Sequence, residues 1–174
     1  GELYCWGVDK WGNLGLGTNG NERSQTTPRR IELPGTVTSV GASSSGYHTC
    51  AVADGDLYCW GHNEYGKLGV GSGVTYSKDP MWVDVDGKKV SSVSAGTDHT
   101  CAVAEGDVYC WGRGLRGVIG NGSLVDVSYY TPQKVSFFDD KTVVAVDASY
   151  RNTCAITSAG ELYCWGDSRV LGVQ

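Results

Sequence analysis

The stretch His48 to Gly61, His-Thr-Cys-Ala-Val-Ala-Asp-Gly-Asp-Leu-Tyr-Cys-Trp-Gly, returns almost unchanged at 99–112 and 152–166, and its second half opens the chain as Leu3 to Gly7. Asp54-Gly55 between two apolar runs is the signature of a two-residue hairpin turn. That turn sets Cys50 directly opposite Cys59, and Glu105-Gly106 does the same for Cys101 and Cys110. In the third copy a three-residue loop, Ser158-Ala159-Gly160, keeps Cys154 opposite Cys164, so the inserted residue sits in the turn and spares the register.

Strand side chains alternate between faces. Cys50, Val52, Leu57 and Cys59 therefore share one face, while the small Thr49 and Ala51 oppose the large Trp60 and Tyr58 on the other. The later copies repeat this as Thr100/Trp111, Ala102/Tyr109, Thr153/Trp165 and Ala155/Tyr163. Both faces are apolar, so each hairpin must be covered on both sides, and a stack of sheets does that.

The triplet Cys-Trp-Gly recurs with its Trp at 6, 60, 111 and 165, spacings of 54, 51 and 54, which marks an internal repeat of about 52 residues. We divide the chain into repeats at 8–61, 62–112 and 113–166, with 1–7 and 167–174 belonging to flanking units of the same single domain. A glycine-rich turn follows each Trp-Gly, at 6–17, 60–71 and 111–122. Its glycines permit positive φ or close backbone approach; no helical pattern follows that could receive a phosphate. Next come polar segments at 18–27, 72–79 and 122–131, each ending at a proline (Pro28, Pro80, Pro132). We expect the proline to begin a short edge strand at 29–33, 81–85 and 133–137. Another strand at 37–42, 90–95 or 143–148 precedes the next hairpin. Four short strands per period are the content of one β-propeller blade, so the chain is read as all-β, about three and a third blades.

Loops at 43–47, 96–98 and 149–151 lead into the hairpins. Tyr47, Asp98, Tyr150 and Arg151 differ in chemistry at equivalent places on a constant scaffold, which makes them candidate binding residues. Tyr76, Tyr129 and Tyr130, in the variable segments, are rigid amphipathic side chains suited to a protein or glycan contact, or to capping the blade edges.

The chain's 26 glycines and absence of helical periodicity fit many short strands, and almost no helix is expected. A formal charge of −5 with scattered Lys and Arg argues against nucleic acid. No run of about 18 apolar residues is present, so no membrane span is expected in this stretch. There is no leader or initiator Met and the chain begins within a strand, which suggests a processed or partial chain.

We read the three opposed cysteine pairs, Cys50/Cys59, Cys101/Cys110 and Cys154/Cys164, as disulfides. Buried free thiols at equivalent repeat positions are the alternative, and zinc fits poorly because each hairpin supplies only two ligands. Cys5 is left over: its register matches Cys59, so its partner is expected upstream of Gly1 or on another chain. Disulfides imply an oxidising compartment.

His48 and His99 share one repeat position with Asn152, a substitution that a structural hydrogen bond explains and a general base or metal ligand does not. His62 lies in a glycine-rich turn with no carboxylate or nucleophile implied nearby. No catalytic residue, metal site or cofactor is expected. Asp54-Gly55-Asp56 and Asp84 to Gly87 invite a calcium reading, yet hairpin turns use Asp and Gly for backbone reasons. Asn121-Gly122-Ser123 is a glycosylation sequon in an exposed loop.

Taken together, Val90 to Gly96, His48 to Gly61 and Asn63 to Gly71 resemble the regulator of chromosome condensation repeat, and the resemblance covers essentially the whole chain. It implies a seven-bladed β-propeller, of which this chain would be a piece. Nuclear members that act as exchange factors for the GTPase Ran would not be expected to carry a cysteine pair in every blade. Secreted bacterial members and the ectodomains of plant crinkly-type receptor kinases are similar in being cysteine-rich, which moves the expectation to the extracellular space or cell surface. The expected function is a non-enzymatic binding or assembly module whose partner is a protein, a glycan or copies of itself. Two alternatives stand beside it: a structural subunit of a glycosylated surface appendage or filament, and a guanine-nucleotide exchange regulator of a small GTPase.

Overall fold

The computed structural model describes residues 1–17 and 24–171. Strands β1 (Leu3–Gly7) and β2 (Gln25–Ile31) form a two-stranded sheet. Two complete antiparallel four-stranded blades follow. The first is built in chain order from β3 (Val37–Ala42), β4 (His48–Ala53), β5 (Asp56–His62) and β6 (Tyr76–Val83). The second comprises β7 (Val90–Ala95), β8 (His99–Ala104), β9 (Asp107–Arg113) and β10 (Ser128–Lys134). The last sheet has three strands, β11 (Val143–Ala148), β12 (Asn152–Thr157) and β13 (Leu162–Gly166), followed by a four-residue helix α1 (Ser168–Leu171). No helix among the described residues is long and apolar enough to cross a membrane.

The hairpins pair as their turns dictate. Asp54-Gly55 and Glu105-Gly106 both take positive φ, and Cys50 lies opposite Cys59, Cys101 opposite Cys110 and Cys154 opposite Cys164. A disulfide joins each pair, with Cα atoms 4.1 Å apart in all three. Asp54 accepts a hydrogen bond from the Thr36 N–H and Asp84 one from the Gly87 N–H, so these carboxylates serve turn backbone.

The outer strands start earlier than the prolines suggest. β2, β6 and β10 begin at Gln25, Tyr76 and Ser128, which places Pro28, Pro80 and Pro132 inside a strand. In each case the register slips in the same place: Cys5/Gly7 face Arg29/Gln25, Cys59/Gly61 face Met81/Ser77, and Cys110/Gly112 face Gln133/Tyr129. Three outer-strand residues, the proline among them, thus span one tryptophan of the inner strand. A bulge on an edge strand owes no ladder bond there, which is why proline is tolerated.

The core lies between blades. The disulfide face of the first complete blade (Cys50, Val52, Leu57, Cys59) packs on Val93, Ala102, Tyr109 and Trp111 of the next. The same face of the second blade packs on Val146, Ala155, Tyr163 and Trp165. Trp60 and Trp111 are wholly buried, and truncating either to alanine would cost about 3–5 kcal/mol. Trp6, which no blade precedes in this chain, is 60% exposed.

Candidate functional site

At one end of the blades, the loops entering β4, β8 and β12 meet the glycine-rich turns leaving β1, β5 and β9. The Trp-Gly glycines close each loop against the exit of its own hairpin. Gly61, Gly112 and Gly166 have φ of +99°, +102° and +118°, and a Cβ on each would lie 2.4 Å from the carbonyl oxygen of Tyr47, Asp98 and Arg151 respectively. That close approach lets the next N–H donate to the same carbonyl: His62 to Tyr47 at 2.8 Å, Arg113 to Asp98 at 2.8 Å and Asp167 to Arg151 at 2.9 Å. Deeper in each junction one turn carbonyl takes two donors. Asn13, Lys67 and Val118 oxygens accept from the indoles of Trp60, Trp111 and Trp165 and from the hydroxyls of Thr49, Thr100 and Thr153.

On this constant frame a cluster of side chains gathers at each junction, and its chemistry changes along the array. At the first, Trp11 stacks on His62 with ring centroids 4.4 Å apart and Tyr76 tilts against it, while Lys10 lies over the Tyr47 ring. Burial and the Lys67 charge lower the His62 pKa, favouring a neutral imidazole. At the second junction the Arg113 guanidinium lies 4.6 Å from the Tyr65 ring centroid and grips Asp126 through two hydrogen bonds of 2.9 and 2.7 Å. The hydrogen bonds to Arg113 hold the Asp126 carboxyl below its usual pKa. Asp98 lies 3.7 Å from the buried Lys67 ammonium and 3.9 Å from Arg113. Burial depresses the Lys67 pKa, and Asp98 opposes that shift.

At the third junction, Arg116, Arg151 and Arg169 converge on Asp167, with nitrogen to Oδ2 distances of 3.1, 4.0 and 2.6 Å. The hydrogen bonds from Arg169 hold the Asp167 carboxyl far below the usual range. Arg151 also lies over the Tyr150 ring at 4.7 Å.

Tyr47, Asp98, Tyr150 and Arg151 thus belong to one end of the structure. Tyr76, Tyr129 and Tyr130 do not lie in loops; they begin the outer strands β6 and β10. Tyr76 and Tyr130 are 47% and 43% exposed, but Tyr129 packs between the two large cores and over Gly114. Reasoning from sequence missed Trp11, Tyr65, Arg113, Arg116 and Asp167 as companions of the loop residues. The signal was present, because they are the variable positions inside an otherwise constant turn. Asn121 is exposed, and its side-chain oxygen accepts from the Ser123 N–H at 3.1 Å. Cys5 is the free thiol among the described residues, half-buried, with its pKa pushed up to about 11 by burial and then by Asp9. His48 and His99 reach across to Thr100 and Thr153, away from any carboxylate.

The model of the regulator of chromosome condensation (RCC1) repeat matches residues 1–52, 54–103 and 105–156, in a phase shifted from the divisions at 8–61, 62–112 and 113–166. Over 97% of its length the chain is 32% identical to the human E3 ubiquitin-protein ligase HERC2, of which it covers 4%. It is also 32% identical to the Ultraviolet-B receptor UVR8 of Arabidopsis thaliana, again over 97% of its length and 38% of that protein. The chain therefore spans well under half of either relative. Among solved structures, human WBSCR16 superposes with a TM-score of 0.76 at 26% identity over 95% of this chain and 43% of that one. Prp20p of Saccharomyces cerevisiae gives 0.76 at 23% over 95% and 39%, a likeness of fold alone. The repeat model, the four-stranded blades and their order agree: this chain belongs to the family of propeller proteins built from RCC1 repeats.

Proposed function

We propose that the chain is a non-enzymatic binding module that presents the loop-and-turn end of its blades to a protein partner outside the cell. One observation carries this reading. The N–H to carbonyl hydrogen bonds that close the three junctions run from 2.8 to 2.9 Å, while the side chains displayed around them run from aromatic, through mixed, to arginine-rich. A scaffold that holds its backbone constant and varies its display is suited to recognition rather than chemistry. The three disulfides favour an oxidising compartment, and the exposed Asn121 sequon would then carry glycan.

The test is site-specific photocrosslinking on the natural protein, with the photoreactive residue at Tyr47, Tyr65 or Tyr150 and, for comparison, at Asp54 or Glu105 on the opposite hairpin turns. Crosslinks to one protein from the first set alone support the reading; equal or exclusive labelling from the hairpin turns sinks it.

A second reading is a regulator of a small GTPase. It is favoured by 30% identity, over 97% of this chain and 37% of that one, to the Secretion-regulating guanine nucleotide exchange factor of Bos taurus. Intact mass of the natural protein separates the two. Seven free thiols and an unmodified Asn121 would favour the GTPase regulator; three disulfides with glycan would favour the extracellular module.

A further inference from the structure

At the first two junctions the turn, the loop, the strand end and the outer strand of the blade are all in place. Each pairs one flat group from a turn with one from the strand end of the next blade. Trp11 lies on His62 with ring centroids 4.4 Å apart, and the Arg113 guanidinium lies 4.6 Å from the Tyr65 ring centroid. His62 and Tyr65 belong to the same turn, so the two pairs make one row across the end of the first complete blade. Tyr76, at the start of β6, tilts against Trp11 and is 47% exposed.

The row is electrically balanced. Arg113 holds both oxygens of Asp126, Lys67 faces Asp98, and the exposed Lys10 and Glu64 of the two turns are of opposite sign. With His62 neutral, the face made by Trp11, His62 and Tyr76 carries no charge. One acceptor in the row is left unfilled. The Asp98 side chain is 34% exposed, and its two cations stand at 3.7 Å (Lys67) and 3.9 Å (Arg113), both longer than a hydrogen bond. Asp98 lies near the aromatic face, since its charge and that of Lys67 both act on His62.

These features narrow the chemistry of a ligand. A cationic side chain brought to Asp98 would meet Lys67 and Arg113, and an anionic one would meet Asp98 itself. A proline-rich segment has flat apolar rings but no N–H to give the carboxylate. Each ring of a neutral sugar has both parts: a face of C–H groups that packs on an aromatic ring, and a rim of hydroxyls that can donate to a carboxylate. We propose that Trp11, Tyr76 and Asp98 form a subsite for a neutral glycan carried by the protein partner, with the aromatic rings taking a C–H face and Asp98 accepting from hydroxyls. The site rests on the reading that this end of the blades is the binding surface, and it adds what the partner must carry there.

The full chain, with its disulfides formed, is titrated against fluorescein-labelled hexasaccharides of glucose, mannose, galactose and N-acetylglucosamine, with a polygalacturonate hexamer and a proline decamer for comparison. Saturable binding of at least one neutral hexasaccharide is expected, little changed by added salt because no charge is neutralised. Trp11→Ala is expected to weaken it roughly tenfold, and Trp11→Phe, which keeps a ring, no more than about threefold. Asp98→Asn replaces a charged acceptor by a neutral one and is expected to cost roughly fivefold to tenfold. Trp82→Ala removes an aromatic side chain that is 57% exposed toward the other end of β6, opposite Tyr58, and is expected to leave binding within about twofold. Circular dichroism of each variant confirms that it is folded. Absence of binding by all four neutral sugars, preference for the acidic sugar or the proline decamer, or equal losses in Trp11→Ala and Trp82→Ala would overturn the subsite. Crosslinking from Tyr65 reports separately on the binding surface. Protein crosslinks lost after enzymatic removal of the partner's glycans support the sugar site, whereas crosslinks that persist sink it and leave the surface standing.

Discussion

His99 Nε2 lies 3.0 Å from Thr153 Oγ1 in the next blade, and that hydroxyl already gives its proton to the Val118 carbonyl. The imidazole must therefore be the donor. His48 stands in the same relation to Thr100, whose hydroxyl donates to the Lys67 carbonyl. Burial pushes the His99 pKa down to about 4 and lowers that of His48 well below its usual value, helped by Lys67 and His99.

Acid should therefore unfold the array in a definite window. The folded pKa lies below the free imidazole value of about 6.5, so between pH 6.5 and 4 the unfolded chain binds more protons. Stability is full above pH 6.5, declines as pH falls, and stops changing with His99 below pH 4, a loss of about 3 kcal/mol from that residue. Urea midpoints at pH 7, 6, 5 and 4 check this, and His99→Asn, the residue found at position 152, should flatten the slope between pH 6.5 and 4.

Thr100→Val replaces a buried hydroxyl by a methyl of similar shape and strands two groups at once, the Nε2–H of His48 and half of the capacity of the Lys67 carbonyl. A loss of about 2–3 kcal/mol is expected from chemical denaturation. A loss below about 0.5 kcal/mol would mean the hydroxyl chain contributes nothing.

Gly112→Ala is predicted to cost about 3 kcal/mol or more, because its Cβ would meet the Asp98 carbonyl at 2.4 Å in a backbone of φ +102°. Gly87→Ala is the control. It shares a positive φ of +70° but faces open space, so about 1 kcal/mol is expected. Thermal midpoints of the two variants should differ accordingly.

Reduction should proceed from the end of the array. Cys50, Cys59, Cys101 and Cys110 are fully buried, whereas Cys154 and Cys164 are partly exposed. Timed alkylation under mild reductant, read by peptide mass, should label Cys154 and Cys164 first. Cys5 should label without reductant, slowly near neutral pH and faster as pH rises toward its pKa of about 11. Each lost bridge closes a loop of about ten residues, worth about 2–3 kcal/mol in the chain-entropy model.

The hairpins were readable in advance because Asp54-Gly55 and Glu105-Gly106 determine both turn and register, and alternation then sorts every side chain by face. The outer strands were harder. Proline usually marks a boundary, and only the pairing partner reveals that Pro28, Pro80 and Pro132 ride a bulge opposite a tryptophan. Half of the candidate site was legible, since Tyr47, Asp98 and Arg151 vary beside a constant His-Thr-Cys or Asn-Thr-Cys. Their companions Trp11, Tyr65 and Arg116 come from the turn that leaves the preceding blade. Their variability inside a constant turn marks them as candidates, but no local signal pairs them with loop residues some 35 positions away.

All three covalent bridges close within one hairpin, joining residues nine or ten apart, and none crosses from one blade to the next. Under tension the consequence is a chain that lengthens blade by blade while three short spans refuse to pay out. Each bridge withholds roughly 30 Å of contour until it is reduced. A single-molecule pulling trace in oxidising buffer should fall short of the same trace in reductant by about three such lengths. Force would part the blades along their non-covalent junctions, at the indole and threonine bonds, and leave every hairpin ready to re-form its half of the contact.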